Sequence, residues 1–213
     1  MKTLSTCLCL IVCVLSYAQT SKRQPNYDSL RIVLEKMVHR DQEVRRILID
    51  SIGLQSPNAG IYIKQMMDID ADNQQKLIII LDKYGWIPQS KIGKKAAEAF
   101  FYIVQHADAA LMEKWFPEFK RLADMGEADR VACAMMEDRL LMRRGKKQIY
   151  GSQAATFRAD GKLAIWPIEN PKTVNERRKK LGFPLTVEEN AVRLEAIYNE
   201  DEQLPGEEKP KKQ

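Results

Sequence analysis

The sequence predicts a mainly α-helical fold, a single helical domain with a small β-hairpin near its C-terminus. Three observations carry this. Apolar residues recur at three- and four-residue spacing through most of the chain up to residue 144. Gly53, Gly85, Pro88 and Gly126 interrupt that pattern at intervals suited to helix ends. Only from Gln148 onward do short extended-looking runs appear, and Asp160-Gly161 separates two of them.

The N-terminus reads as a secretory signal peptide. Lys2 gives a positive start, and Leu4 to Leu15 is apolar but too short to span a bilayer. Ser16-Tyr17-Ala18 fits small-residue cleavage, which places the cut after Ala18 and predicts an exported product, periplasmic or extracellular. Cys7, Cys9 and Cys13 leave with that segment, so Cys133 remains alone and no internal disulfide can form. About 195 residues remain, enough for one core and few for two. The full chain carries a net charge of +5; losing Lys2 leaves 33 basic side chains against 29 acidic ones. That balance is too mild to imply nucleic acid.

The first helix is expected over Asn26 to Ile52, with Leu30, Leu34, Met37, Val44 and Leu48 on its stripe. A second runs from about Ala59 to Tyr84, ended by Gly85 and Pro88. A third is expected from a Ser90 cap to about Met112, and its centre is apolar nearly all round, as in a buried helix. A shorter helix from Lys114 into Ala123 follows, then one over Ala128 to Arg144. Extended runs are expected at Gln148 to Phe157 and Lys162 to Ile168, then a basic helix over Pro171 to Leu181. Thr186 and Glu189 form a capping box for a last helix reaching about Asn199. The domain is expected over residues 19–204. The tail 205–213 lacks apolar residues and is expected to be disordered.

Four of these helices aim a polar residue into their own apolar stripe: Asp41, Asn73, His106 and Asp138. A shared internal polar pocket accounts for all four. Simpler readings remain open: Asp41 pairing with Arg45, Asp138 pairing with Arg139 or Lys147, and His106 as a satisfied core residue. Basic clusters at residues 143–147 and 177–180 read mostly as solvated surface, with Arg177 or Arg178 free to turn inward and hold an anion. Period-two alternation along a strand sets Tyr150 on one face and Gln153 on the other, toward the pocket.

The leading functional expectation is a binding module for a small polar or anionic ligand. Asp41, Asn73, Arg139, Tyr150, Gln153 and Arg178 would contact that ligand. An alternative is a hydrolase or lyase with His106 as general base and Asp138 fixing its tautomer or acting as acid. A third is a structural or protein-interaction domain. No metal site is expected. Asp68 to Asp72 imitates a calcium loop but lacks its Gly and its final Glu, and His106 and Asp108 point different ways on a helix. Cys133 reads as a core residue. No phosphate loop or nucleophile elbow is present, and no cofactor is expected.

Several motifs recur together in one order: Asp41-Gln42 with Arg45, Tyr84-Gly85-Trp86 with Pro88, Ile92-Gly93, Gln105-His106-Ala107-Asp108, Asp138-Arg139, Tyr150-Gly151-Ser152-Gln153, and Arg177-Arg178 before Leu181-Gly182. In this the chain resembles a bacterial family catalogued as domain of unknown function 6624, over roughly Leu30 to Pro184. Ile87 between Trp86 and Pro88 departs from that family's frequent Gly-Trp-Pro. The resemblance implies that the motif residues act together; it implies no particular activity or substrate.

Overall fold

The computed structural model describes residues 25–53 and 56–206. The expected signal peptide, and the tail from residue 207, lie outside the described residues. Helix α1 (Tyr27–Arg46) starts where the Asn26 side chain accepts the Ser29 amide at 3.1 Å. It continues as a π-helical segment, Ile47–Ile52, and stops at Gly53, whose φ of +80° suits glycine. Helix α2 (Ala59–Tyr84) ends at Gly85 as its sequence predicts.

The expected helix from Ser90 to Met112 is broken twice. Helix α3 (Gln89–Ile92) closes at Gly93, α4 (Lys94–Val104) follows, and residues 105–108 form a turn. Asp108 then caps α5 (Ala109–Asp124), accepting the Leu111 amide at 2.8 Å. That cap starts α5 before the expected Lys114, and it takes His106 off the helix and into the turn. Helix α6 (Arg130–Arg143) is capped in the same way by Asp129 through the Ala132 amide at 2.9 Å.

The main core gathers Leu34, Met37, Leu77, Leu81, Phe100, Val104, Met112, Phe119 and Met136 from these helices. Trp86, just past α2, stacks on Phe119 at a centroid distance of 4.3 Å and on Phe100 at 5.4 Å. Helix α4 lies against α1, and α5 against α6. Burial of this apolar surface is the main force that holds the helices together.

The hairpin is shorter than its sequence suggests. Strand β1 (Ala154–Thr156) pairs antiparallel with β2 (Leu163–Ile165), Ala155 facing Ala164. The Asp160-Gly161 pair lies inside the connecting loop. Upstream, Gly151 at φ +67° turns the chain, so the expected alternation from Tyr150 to Gln153 does not hold. After a 3-10 turn at Pro171–Thr173 comes α7 (Val174–Leu181), ended by Gly182 at φ +102°. The predicted capping box opens α8 (Val187–Arg193). This helix stops before Asn199 because Glu195 turns left-handed and Ile197 joins the sheet edge, exchanging backbone bonds with Leu163 and Ile165 at 2.9 Å. Ile165, Ile168, Val174, Val187 and Ala191 form a second small core. Among the described residues, no helix is long and apolar enough to cross a membrane.

Candidate functional site

Two polar constellations sit on this frame, joined through α6. The first surrounds His106. Arg139 and Arg143, one helical turn apart on α6, donate to the carbonyls on either side of it. Arg139 reaches Gln105 O at 2.9 Å, and Arg143 reaches Ala107 O at 2.9 Å. The turn that carries the imidazole is thus held by two guanidinium groups. From α1, Arg45 adds a third positive charge, held by Asp41 at 3.1 and 3.3 Å and by Asp70 of α2 at 2.6 Å.

Burial pulls the His106 pKa down to about 4, helped by Arg45 and Arg139 and opposed by Asp41. The ring is therefore neutral at neutral pH. Burial also lowers the Arg139 pKa, with Arg143 and Arg45 adding to the effect, and it raises that of Asp70 against the pull of Arg45. Arg139 also donates to Gln153 Oε1 at 3.0 Å, a neutral acceptor. One Arg45 nitrogen faces the Met66 sulfur, a weak acceptor. Beside this group, buried Asn73 donates to Met37 O at 3.3 Å, while its Oδ1 has no partner among the described residues.

The second constellation surrounds Asp138, which is fully buried. Its carboxylate accepts the amides of Ile149, Tyr150 and Ser152 at 2.7–3.2 Å and the Ser152 hydroxyl at 2.8 Å. Burial raises its pKa while these donors oppose the shift. The same loop is held through its carbonyls. Arg177 takes Ile149 O at 2.9 Å, Arg178 takes Tyr150 O at 2.7 Å, Asn190 takes Gly151 O at 3.0 Å and Gln148 takes Gln153 O at 3.0 Å. Arg178 also lies over the Phe183 ring at 4.4 Å, and Tyr150 stacks on that same ring at 5.6 Å.

Of the residues singled out in the sequence, the structure gathers His106, Asp41 and Arg139 around the first group. It places Asp138, Tyr150 and Arg178 in the second. Gln153 bridges the two, bonding Arg139 and the Met135 carbonyl. The Asp138 carboxylate is spent on the loop, and no bond to His106 is found among the described residues. Arg143 was read from sequence as solvated surface; its spacing of four from Arg139 was the available sign that it shares a helix face. Gln148 and Asn190 gave no such sign, because their partners are backbone atoms distant in sequence.

A cleft of about 450 Å³ opens beside the first group, walled by Phe101, Ala132 and Met135, with Gln89, Lys94, Glu98, Tyr102, Gln105 and Asp129 as its polar members. Burial raises the Glu98 pKa, opposed by Lys94. None of the eight sequence-predicted site residues lines this cleft; Gln105 and Met135 join it to them. Among the described residues, no group of three or more His, Cys, Asp or Glu side chains is placed to hold a metal ion. Cys133 is buried, and burial pushes its thiol up to about 12.

The fold and these motifs define a helical domain of a recognised but functionally unassigned class. Residues 28–201 match the family described as a family of unknown function (DUF6624), and the chain belongs to that family. No curated protein and no solved structure matches it.

Proposed function

We propose that the protein binds a small anionic ligand at the His106 turn. The observation that supports this reading is the charge there: three guanidinium groups, of Arg45, Arg139 and Arg143, act on one partly buried imidazole against the carboxylates of Asp41 and Asp70. Arg139 has no carboxylate partner among the described residues, and Arg45 spends one nitrogen on a sulfur. An anion would relieve both, and bidentate binding by arginine is strong in such sites.

Anion binding here is coupled to protonation. A negative charge close to His106 raises its pKa, so affinity increases as pH falls from about 7 toward the His106 pKa. Calorimetry with inorganic phosphate, sulfate and acetate at pH 5.5 and 7.5 tests this. Binding with proton uptake is expected, with the pH dependence lost in His106→Gln. If none of the three anions binds, or if His106→Gln keeps the full pH dependence, the reading fails.

A structural role is the better reading for the Asp138 group. Its polar atoms satisfy one another, as the bonds around residues 148–153 show. This favours ligand binding over acid–base catalysis by a His106–Asp138 pair. Export is proposed from Lys2, the apolar run Leu4 to Leu15 and Ser16-Tyr17-Ala18. A secreted product whose mass begins at Gln19 supports it; a full-length product kept inside the cell sinks it.

A further inference from the structure

The cleft beside the His106 group is bounded by α4, the start of α6 and the turn after α7. Its volume of about 450 Å³ lies in the range of small-molecule sites. Phe101, Tyr102 and Phe119 all line it, and they form one aromatic wall: the Phe101 ring centroid is 5.5 Å from that of Tyr102 and 6.1 Å from that of Phe119. Met135, from α6, adds further apolar surface.

Three charged side chains share this lining: Lys94, Glu98 and Asp129. Lys94 and Glu98 lie one turn apart on α4, but with the lysine first, the poorer order for a helical ion pair. Neither side chain makes a hydrogen bond or an ion pair among the described residues. Asp129 spends Oδ1 on the Ala132 amide at 2.9 Å, and its Oδ2 accepts no bond among the described residues. Burial raises the Glu98 pKa against the pull of Lys94, and the charge of Asp129 adds to the rise. Half-buried Glu98 is thus partly out of water, close to a second carboxylate, and it lacks a bonded cation.

This arrangement selects a charge and a shape. An anion would meet two like charges and one cation. A neutral apolar molecule would take more water from Glu98 and leave it unpaired, which is costly. An ammonium ion offers the missing partner, and aromatic faces attract it as well. The rest of the lining is mostly apolar, so the molecule that carries the ammonium must be apolar too.

We propose that this cleft binds an organic ammonium ion with an apolar body, the ammonium held by Glu98 and Asp129 and the body laid on Phe101 and Met135. The charges involved are separate from those of the His106 group, so either reading can fail without the other.

Calorimetry on the full chain at neutral pH, with phenethylamine, propylamine and phenylacetate as probes, tests it. Phenethylamine is expected to bind saturably and phenylacetate not at all. Propylamine, which lacks the ring, should bind about tenfold more weakly than phenethylamine. Glu98→Gln keeps the shape and removes the charge, and it should weaken phenethylamine about tenfold, the equivalent of a hydrogen bond to a charged group. Asp129→Asn still caps α6 and should weaken it about threefold. Thermal melts check that both variants remain folded. L-Phenylalanine separates two sources of the ammonium. Tighter binding than phenethylamine, with the gain lost in Lys94→Ala, supports an amino acid; weaker binding supports a simple amine. Absence of saturable phenethylamine binding at millimolar concentration overturns the proposal. So does phenylacetate binding as tightly, or full affinity in Glu98→Gln.

Discussion

One oxygen of Asp138, Oδ2, receives both the backbone N–H and the hydroxyl of Ser152, at 3.0 and 2.8 Å. With the amides of Ile149 and Tyr150, this carboxylate fixes the chain as it leaves α6 for the hairpin. Backbone donors that must leave water are costly when unpaired, so a single side chain here does the work of a strand partner.

Asp138→Asn is therefore expected to destabilise the protein strongly. The amide keeps one acceptor oxygen and turns the other into a donor facing N–H groups. At about 1–3 kcal/mol per orphaned donor, the loss should be at least about 2 kcal/mol. Urea unfolding measures it, and hydrogen exchange at residues 149–152 should rise with it. A loss below half a kcal/mol would remove this carboxylate as the anchor of the loop.

Gly151 and Gly161 share a φ of +67° but differ in their surroundings. A Cβ on Gly151 would stand 2.7 Å from both Ile168 Cδ1 and Val187 Cγ2, whereas one on Gly161 would meet nothing within 4 Å. Gly161→Ala should cost only the left-handed strain, about 1 kcal/mol. Gly151→Ala adds overpacking of the second core, for a total of about 2–4 kcal/mol. Thermal melts of the two variants make the comparison, and equal losses would show that the close approach at Gly151 is relieved by movement.

Much of the fold was legible because local chemistry decided it. The Gly85 stop, the end of the basic helix at Leu181 and the Thr186–Glu189 capping box all appear where their sequences put them. The breaks at Gly93 and Asp108 were missed because the three- and four-residue apolar spacing (Ile92, Ala96, Ala99, Ile103, Ala107, Leu111) carries straight across them. A helix-capping aspartate on the flank of such a run outweighed its periodicity. Buried Asp41, Asn73 and Asp138 were legible as polar residues on apolar faces. Their partners were less so. Arg45 lies one turn from Asp41, whereas Asp138 is satisfied by amides whose position depends on Gly151 and on two arginines of α7. Gln153 is a structural bridge: it is 5% exposed and bonds Arg139, Met135 and Ser152. Its removal is expected to lower stability, because these bonds are lost in a buried setting.

The last prediction concerns acid. In the folded protein, burial and the neighbouring arginines hold the His106 pKa near 4, against an ordinary value of 6.5. The unfolded chain therefore takes up this proton first as pH falls. Stability from this group is fully present above about pH 6.5 and is lost progressively between there and about pH 4. A shift of this size corresponds to about 3 kcal/mol at most, and solvent screening of a partly exposed ring reduces the expected loss to about 1–2 kcal/mol. Asp70 and Asp138, whose folded pKa values are raised, push in the opposite sense, so the pH profile of the native protein alone is a mixture. The comparison is urea unfolding of the native protein and His106→Gln at pH 7.5, 6, 5 and 4. The native protein should lose about 1–2 kcal/mol relative to the variant across that range. A constant difference between the two would mean that His106 titrates normally and that the arginines around it do not set its charge.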